Sequence, residues 1–324
     1  MTPEDLRRAA EALRGAELVA IACHVNPDPD ALGSMLGLAQ HLTTLGVSTI
    51  CSYPNEPLDV PRWADGWTNG VGLVAASAFP ERPEVMVTCD CASLDRLQGL
   101  GRAATNANEL IWIDHHRSND GLGTVRLVDP DASSTCELVV RLIEAMGGEL
   151  GDATARWLYA GLVTDTGRFQ YQATSPATLR VAATLRERSF DHAALARTLY
   201  EDSSLPALRL LAAALGRLEH VPGADLVWTY LVQDDLKVAG VGPADTDDLI
   251  DVIRTAREAD VAALLKQQRD GRFKVSVRSR GGHDLSVVAA RFGGGGHRLA
   301  AGYTSPLAPA ATVAALVDAL GEQV

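Results

Sequence analysis

Aspartate and histidine residues follow short apolar segments at four places within the first 165 residues of this chain. They are His24, Asp28, Asp30, Asp90, Asp114, His115, His116 and Asp165. The carboxyl ends of neighbouring parallel strands face one crevice, so residues far apart in sequence can meet there. Carboxylates that converge on one point repel each other unless cations compensate them. The pattern therefore predicts a metal site that holds more than one ion.

Helices and strands alternate in the first half of the chain. We predict helices at 3–13, 31–45, 134–146 and 152–163, and strands at 17–22, 47–53, 84–89, 109–113 and 124–128. A capping box formed by Ser133 or Ser134 with Glu137 opens the third helix. The strands are short and mostly apolar on both faces, as a parallel sheet covered by helices requires. The pattern predicts a doubly wound α/β domain.

The second half changes character. Residues 175–216 are helical and poor in strand signals, which indicates a helical connector. Strands are then predicted at 225–232, 261–267 and 272–278, and helices at 246–257, 285–291 and 309–320. This is a second, smaller α/β domain. We place the first domain at 1–185, the connector at 186–206 and the second domain at 207–324.

Bulk composition excludes several classes of protein. No apolar run approaches the ~20 residues that span a bilayer, and the N-terminus lacks the apolar core of a signal sequence. The five cysteines are odd in number, which favours reduced thiols in a cytoplasmic protein. A strand would place Cys89 and Cys91 on one face, opposite Asp90. The net charge of −12 argues against binding long duplex nucleic acid.

Each acidic or histidine motif has a plain structural alternative. Asp30 can be a helix cap, Asp165 can flank a helix end, and His115 and His116 can be a buried structural pair. In a strand, that pair would point to opposite sides, so that one ligates while the other meets substrate. Together, four carboxylates match the charge of two divalent cations. Mixed carboxylate and imidazole ligands suit Mn²⁺, with Mg²⁺ or Co²⁺ as alternatives. Such an ion pair can activate water for phosphoryl displacement.

The C-terminal part carries a basic, glycine-rich segment. Between Lys266 and Arg298 there are eight lysines or arginines and two aspartates, a net charge of +6 in an acidic chain. Four glycines, 293–296, precede His297, and Ser276-Val277-Arg278-Ser279-Arg280 lies upstream. A glycine run is often a flexible linker, but its bare N–H groups can also approach an anion. With the guanidinium groups, the segment predicts phosphate or nucleotide recognition.

These motifs together resemble those of DHH phosphoesterases with a DHH-associated C-terminal domain, over nearly the whole chain. Within that family the sequence is most similar to the bifunctional oligoribonucleases, or nanoRNases. The resemblance implies that His24, Asp28 and Asp90 bind one Mn²⁺, and that Asp30, Asp90, His115 and Asp165 bind the other. The catalytic residues would be Asp90, Asp114, His115 and His116. Asp114 would orient a ligand histidine, and His116 would contact the scissile phosphate or protonate the leaving oxygen. The implied substrate-binding residues are His116, Arg278, Ser279, Arg280, Gly294, Gly295, Gly296 and His297.

The resemblance also implies substrates and assembly. We expect hydrolysis of two- to five-nucleotide RNAs, including pApA, and of 3'-phosphoadenosine 5'-phosphate (pAp) to AMP. The alternative is a dedicated cyclic di-AMP or pApA phosphodiesterase, and a non-catalytic nucleotide sensor is a weaker one. Such enzymes are expected to be cytoplasmic homodimers, without membrane or long-duplex partners, and with the active site in a cleft between the domains.

Overall fold

The chain forms two compact units, residues 1–202 and 203–324. The computed structural model describes residues 1–58, 60–68, 70–241, 246 and 249–322. Within those residues, no helix is both long enough and apolar enough to cross a membrane. The predicted division at 185 and 206 is a finer statement about domains and remains a prediction.

The first unit alternates strands and helices, as predicted. Its strands are β1 Leu18–Cys23, β2 Ser48–Ser52, β3 Val85–Cys89, β4 Glu109–Asp114 and β5 Val125–Val128. Its α-helices are α1 Pro3–Gly15, α2 Pro29–Thr44, α3 Gly101–Asn106, α4 Thr135–Met146, α5 Asp152–Asp165, α6 Pro176–Arg186 and α7 His192–Tyr200. Among the described residues the sheet has five parallel strands in the order β2-β1-β3-β4-β5. This confirms the predicted doubly wound sheet, and its strand order reverses between β1 and β3.

Two hydrophobic layers cover this sheet. Val19, Ile21 and Cys23 of β1 pack in one layer with α1, α2, α4 and α5. Ala20 and Ala22 pack in the other layer, on the side of α3. Both faces of the strand are therefore apolar, as the composition of the strands predicts.

Cys89 and Cys91 lie in opposite layers, so the prediction that they share a face is wrong. The reason is Asp90, which follows β3 with a φ of 57°. This left-handed conformation reverses the side-chain alternation of an extended strand. All five cysteines are buried free thiols.

Side-chain caps fix two helix starts near the predicted site. Asp28 Oδ1 accepts hydrogen bonds of 3.0 Å from the backbone nitrogens of Asp30 and Ala31, so α2 begins two residues earlier than predicted. Ser134 caps α4, since its hydroxyl accepts a bond of 3.1 Å from the backbone nitrogen of Glu137. The Glu137 carboxylate binds Ser133 instead of closing the predicted box. Both caps aim a helix N-terminus at the carboxyl end of the sheet.

The second unit is the predicted smaller α/β domain. Its strands are β6 Glu219–Val221, β7 Leu226–Leu231, β8 Val261–Gln267, β9 Phe273–Ser279, β10 Gly295–His297 and β11 Ala300–Ser305. Its α-helices are α8 Leu205–Leu215, α9 Gln233–Ala239, α10 Leu249–Ile253, α11 Leu285–Arg291 and α12 Pro309–Gly321. In the described part of the unit the strands form one mixed sheet of order β10-β11-β9-β8-β7-β6, in which β7 and β8 are parallel.

In the described part of this unit, the strands β6, β10 and β11 and the helix α9 were not predicted. A helix was predicted at 246–257, whereas α10 ends at Ile253. Residues 247 and 248 of the predicted helix lie outside the described residues. The glycine run is not a free loop, because it provides β10, which pairs with β11.

Candidate active site

The predicted metal ligands meet where the strand order of the first sheet reverses. His24 directly follows β1 and Asp90 directly follows β3, and these two strands are hydrogen-bonded neighbours. Asp114 ends β4, the next strand, so His115 leaves the sheet at the same edge. Asp165 arrives from a helix, as the last residue of α5. The site therefore lies at the place where doubly wound folds bind their ligands.

Asp90 lies between two histidines, with one carboxylate oxygen toward each. Its Oδ2 is 3.5 Å from His24 Nε2, and its Oδ1 is 3.6 Å from His115 Nε2. On the first side, Asp28 Oδ2 is 3.8 Å from His24 Nε2. Asp90 therefore offers one carboxylate oxygen to each of two groups of side chains.

The second set gathers around His115. Its Nε2 atom is 3.4 Å from Asp165 Oδ2 and 4.0 Å from Asp30 Oδ2. The donor atoms form three overlapping groups, each within 4.8 Å, that could hold a metal ion: His24 with Asp28 and Asp90, Asp30 with His115 and Asp165, and Asp90 with His115 and His116. All six residues predicted as ligands belong to these groups.

Charge repulsion within this cluster is strong. Burial and the neighbouring charges of Asp90 and Asp165 raise the pKa of Asp30 well above its usual range. Partial burial, Asp28 and Asp90 raise the pKa of Asp165 in the same way. Burial opposes protonation of His24, yet Asp28 and Asp90 raise its pKa to about 10. Such a set of carboxylates holds its charge at neutral pH when a cation lies among them.

The donor set fits divalent metal ions. It offers carboxylate oxygens and imidazole nitrogens, and the buried cysteine thiols are absent from the three groups. The carboxylate of Asp90 lies within ion-pair distance of His24, His115 and His116. When these histidines lose a proton, the neutral imidazole can bind a metal ion. Ligands of this kind suit Mn²⁺, Mg²⁺ or Co²⁺ better than a soft, thiolate-bound metal.

The N-terminus of α4 holds two of the predicted ligands, Asp30 and Asp90, and this contact was missed by sequence reasoning. The backbone nitrogens of Thr135 and Cys136 donate to the two oxygens of Asp30, at 2.7 and 2.9 Å. The Thr135 hydroxyl donates to Asp90 Oδ1 at 2.9 Å. The positive end of the helix dipole thus faces the acidic cluster. Only the Ser-Ser-Thr cap preceding α4 could have indicated this role.

Two glycines allow α2 and α5 to pack closely and so bring Asp30 and Asp165 together. A Cβ at Gly33 would lie 2.6 Å from the Trp157 carbonyl oxygen. A Cβ at Gly161 would lie 2.8 Å from Asp30 Cα and 2.4 Å from Cys136 Sγ. Neither glycine has a left-handed backbone, so close approach is their role.

The two adjacent histidines do not point to opposite sides, which corrects the sequence expectation. Their ring centroids are 4.8 Å apart, and both rings lie near Asp90. They leave β4 after Asp114, so strand alternation no longer governs them. His116 Nδ1 donates to Asp114 Oδ1 at 2.7 Å, and Asn119 Nδ2 donates to Asp114 Oδ2 at 2.6 Å.

Asp114 therefore orients His116 and has no comparable bond to His115. Partial burial of His116 opposes its protonation, but the hydrogen bond to Asp114 and the charge of Asp90 raise the pKa of His116 to about 9. Asn119, which completes this chain of hydrogen bonds, was not identified from sequence.

The loop that carries His24 and Asp28 is fixed by distant residues. Asn26 has a φ of 52°. Its backbone nitrogen donates to Asn55 Oδ1, and Asn55 Nδ2 donates back to Asn26 Oδ1, both at 2.7 Å. The Val25 nitrogen donates to the Arg96 carbonyl at 3.0 Å. These contacts hold a residue with left-handed backbone between two predicted ligands.

In the second unit, Arg278 and His297 share one row of the sheet. Both residues pair with Ala300, from opposite sides of β11. Two residues along these strands, Ser276, Gly302 and Gly295 form the next row on the same face. The result is a floor of small side chains with a guanidinium and an imidazole at its borders.

Different structural reasons account for the four glycines that precede His297. Gly293 ends α11 with a φ of 72°. A Cβ at Gly294 would lie 2.2 Å from the Gly302 carbonyl oxygen, and one at Gly296 would lie 2.5 Å from the Ala300 carbonyl oxygen. A Cβ at Gly295 would meet open space. Close backbone packing explains why no side chain fits at Gly294 and Gly296. At Gly295 the close approach of a ligand would explain the absence of a side chain.

Ser279 and Arg280, both predicted to bind substrate, make contacts within their own unit. The Ser279 hydroxyl is buried and donates to Asp260 Oδ2 at 2.7 Å. The Arg280 guanidinium donates to the Ala256 carbonyl at 3.2 Å. These contacts give both side chains structural partners.

Comparison with known proteins agrees with this geometry. Residues 18–162 match the DHH family, N-terminal domain, and residues 229–324 match the DHHA1 domain. The bifunctional oligoribonuclease and PAP phosphatase NrnA of Thermus thermophilus is 33% identical over 305 residues, covering 93% of this chain and 88% of that protein. The chain belongs to the DHH family. It is accordingly an enzyme of the phosphodiesterase and phosphatase class.

Two further comparisons extend this result. A probable NrnA of Streptococcus mutans is 31% identical over 296 residues, covering 90% of this chain and 91% of that protein. The crystal structure of an exopolyphosphatase-related protein from Bacteroides fragilis has a TM-score of 0.92 at 23% identity, covering 99% of this chain and 96% of that one. The likeness to that structure concerns the fold alone.

Proposed function

We propose that this DHH-family enzyme is a two-metal phosphoesterase that hydrolyses short oligoribonucleotides to mononucleotides, and pAp to AMP. The observation that carries the proposal is the position of Asp90, whose two oxygens face His24 and His115 at 3.5 and 3.6 Å. Full-length relatives named as oligoribonucleases and PAP phosphatases support the substrates.

The residues divide into two ligand sets. His24, Asp28 and Asp90 would hold one divalent ion, and Asp30, Asp90, His115 and Asp165 would hold the other. We favour Mn²⁺, because the set mixes imidazole with carboxylate. When bound, the ions supply a nucleophilic water at neutral pH and stabilise charge on the phosphoryl oxygens.

The chain's own groups act on the leaving side. The bond from His116 Nδ1 to Asp114 Oδ1 places one proton on Nδ1, and the raised pKa of about 9 keeps a second proton on Nε2. His116 would give this Nε2 proton to the leaving oxygen and become the neutral ring. Asn119 and Asp114 fix the ring orientation. Arg278, Gly295 and His297 would bind the phosphate or base at the far end of the substrate, which favours short substrates.

The test is a turnover panel with the purified full chain. Its substrates are pAp, pApA, RNAs of two to five nucleotides and cyclic di-AMP, each assayed with Mn²⁺ and with chelator. We expect pApA, short RNAs and pAp to be hydrolysed with Mn²⁺ only. Preference for cyclic di-AMP would select the dedicated phosphodiesterase instead. Binding without turnover would select the nucleotide sensor.

An inactive control defines the site. Asp90→Ala should retain the fold, judged by circular dichroism, and lose hydrolysis of every substrate. Near-normal turnover of this variant with Mn²⁺ would refute the two-metal site.

Location and assembly are further parts of the proposal. The five buried free thiols support a reducing, cytoplasmic location. The family resemblance supports a homodimer, which sedimentation analysis of the full chain would test.

A further inference from the structure

Asp260 is the centre of a hydrogen-bonded cluster in the second unit. Its side chain is 13% exposed and lies just before β8. Its Oδ2 accepts from the Ser279 hydroxyl at 2.7 Å and lies 3.0 Å from His283 Nδ1. Its Oδ1 accepts from the backbone nitrogens of Arg280 and Gly282, at 3.1 and 3.0 Å. One carboxylate therefore fixes four groups of the segment 279–283.

The backbone nitrogens of Arg280 and Gly282 converge on one point, as in sites that bind external anions. Here an aspartate of the same chain occupies that point. The segment 279–283 is consequently held by an internal anion, and its main-chain donors do not face a substrate phosphate.

Ser279 is the second part of the cluster. While its hydroxyl donates to Asp260, its oxygen accepts from the backbone nitrogens of Gly281 and His283, at 3.0 and 3.4 Å. A hydroxyl with these partners has little capacity left for a ligand. The resemblance implied substrate contact for Ser279, whereas the geometry indicates that it supports the loop.

The fixed segment borders two arginines. Arg278 directly precedes it at the end of β9, and the Arg298 guanidinium donates to the Gly281 carbonyl at 3.2 Å. The position of the loop thus determines where both guanidinium groups lie. Arg278 also lies on the same face of the sheet as Gly295 and Gly302, two residues along from their row.

We propose that Asp260 is a positioning residue for substrate recognition: with Ser279, it fixes the segment 279–283 so that Arg278 and Arg298 bind the far phosphate of the substrate. The inference rests on the proposed function. It assigns a role in anion binding to a residue that is itself an anion.

The direction in which Asp260→Asn shifts the KM for pApA distinguishes this positioning role from a simple electrostatic effect. If Asp260 were only a background charge, its removal would strengthen the attraction of an anionic substrate. If it positions the loop, its removal weakens binding, because an asparagine cannot accept all four bonds and keep the loop ordered.

The experiment compares KM and kcat for pApA and for bis-p-nitrophenyl phosphate with Mn²⁺, using Asp260→Asn, Ser279→Ala and wild type. The matched control is Asp270→Asn, because Asp270 is an exposed aspartate of the same unit that binds Arg272. We expect Asp260→Asn to raise KM for pApA about tenfold, with kcat for both substrates within about twofold of wild type. Ser279→Ala should shift KM in the same direction by less, and Asp270→Asn should not shift it.

An unchanged or lowered KM in Asp260→Asn overturns the inference, as does an equal loss on both substrates. If Asp260→Asn does not fold, Ser279→Ala decides by the same criterion. If wild type hydrolyses no substrate of the nucleotide panel, the proposed function fails, and this inference with it. If wild type hydrolyses pApA and Asp260→Asn has an unchanged KM, the inference is overturned but the proposed function stands.

Discussion

The Thr135 hydroxyl donates a hydrogen bond of 2.9 Å to Asp90 Oδ1, the carboxylate oxygen that faces His115. The two residues are 45 positions apart, and the first residue of α4 thereby orients the carboxylate that we propose as the shared ligand. A hydrogen bond to a metal-ligating carboxylate restricts that carboxylate to one rotamer and increases its affinity for metal.

Thr135→Val should weaken Mn²⁺ binding by about tenfold and reduce activity at limiting Mn²⁺, because valine keeps the shape but not the donor. Titration of activity with Mn²⁺ measures both effects. Thr135→Ser is the matched control and should stay near wild type. Equal Mn²⁺ dependence of the valine variant and wild type would show that the hydroxyl is dispensable.

Asp165→Asn should raise the unfolding temperature of the metal-free protein and abolish its rise on adding Mn²⁺. Partial burial and repulsion by Asp28 and Asp90 raise the pKa of Asp165, so removing its charge relieves strain. A gain of about 1 kcal/mol in the free energy of unfolding raises the unfolding temperature by roughly 2–4 °C for a unit of this size. Calorimetry with chelator and with Mn²⁺ is the measurement. The exposed Asp65→Asn serves as the control, and an undiminished Mn²⁺ effect in Asp165→Asn would exclude Asp165 as a ligand.

Gly161→Ala should destabilise the first unit by about 1–3 kcal/mol and weaken Mn²⁺ binding, because its Cβ would collide with Asp30 Cα and Cys136 Sγ. Chemical denaturation and Mn²⁺ titration measure the two effects. Gly151→Ala is the control, since Gly151 caps the same helix and its added Cβ would meet open space. A Gly161→Ala variant with the free energy of unfolding of wild type would contradict the prediction, because it would show that α2 and α5 can move apart without loss of stability.

Arg278→Ala should raise KM for pAp and pApA by about ten- to a hundredfold and leave bis-p-nitrophenyl phosphate unaffected. A charge-assisted bond to phosphate is lost only where the substrate has a far phosphate. Steady-state kinetics with both substrate types is the measurement. Arg272→Ala, on the turn that follows β8, is the control. Equal effects on both substrate types would remove Arg278 from recognition.

Asp235→Asn should reduce the acid dependence of stability. The bidentate hydrogen bond from Arg217, at 2.5 and 2.7 Å, lowers the pKa of Asp235 despite its partial burial. The folded pKa lies below the unfolded value, so this contribution is present above about pH 4 and is lost as pH falls through the folded pKa. Denaturation at pH 7 and pH 3 should show a smaller difference for Asp235→Asn than for wild type. Asp318→Asn, at an exposed position on α12, should behave as wild type, and equal differences in all three proteins would contradict the prediction.

The sheet of the first unit could be predicted because its strands are short apolar runs that end in polar residues. Asp90 and Asp114 mark the ends of two strands, and strand order then brings those ends together. The glycine-rich strand β10 could not be predicted, because a run of glycines has no side-chain pattern and is defined by its pairing with β11.

Supporting residues were missed for a different reason. Thr135, Asn55 and Asp260 act on groups 19 to 45 positions away, and no local pattern records such contacts. The positions of Cys91 and His116 were also misjudged, because the strands end before these residues and alternation no longer applies. Sequence patterns thus indicated which acidic and histidine residues gather at one edge of the sheet, and only the fold showed what holds them there.

The left-handed turn at Asp90 has a consequence for how the site forms. Its neighbours Cys89 and Cys91 are anchored in two separate apolar layers, one on each side of the sheet. We therefore expect the Asp90 carboxylate to reach its place only after both layers have condensed. An intermediate with a single formed layer would therefore bind ions weakly, and tight metal uptake during refolding would report completion of the whole first unit.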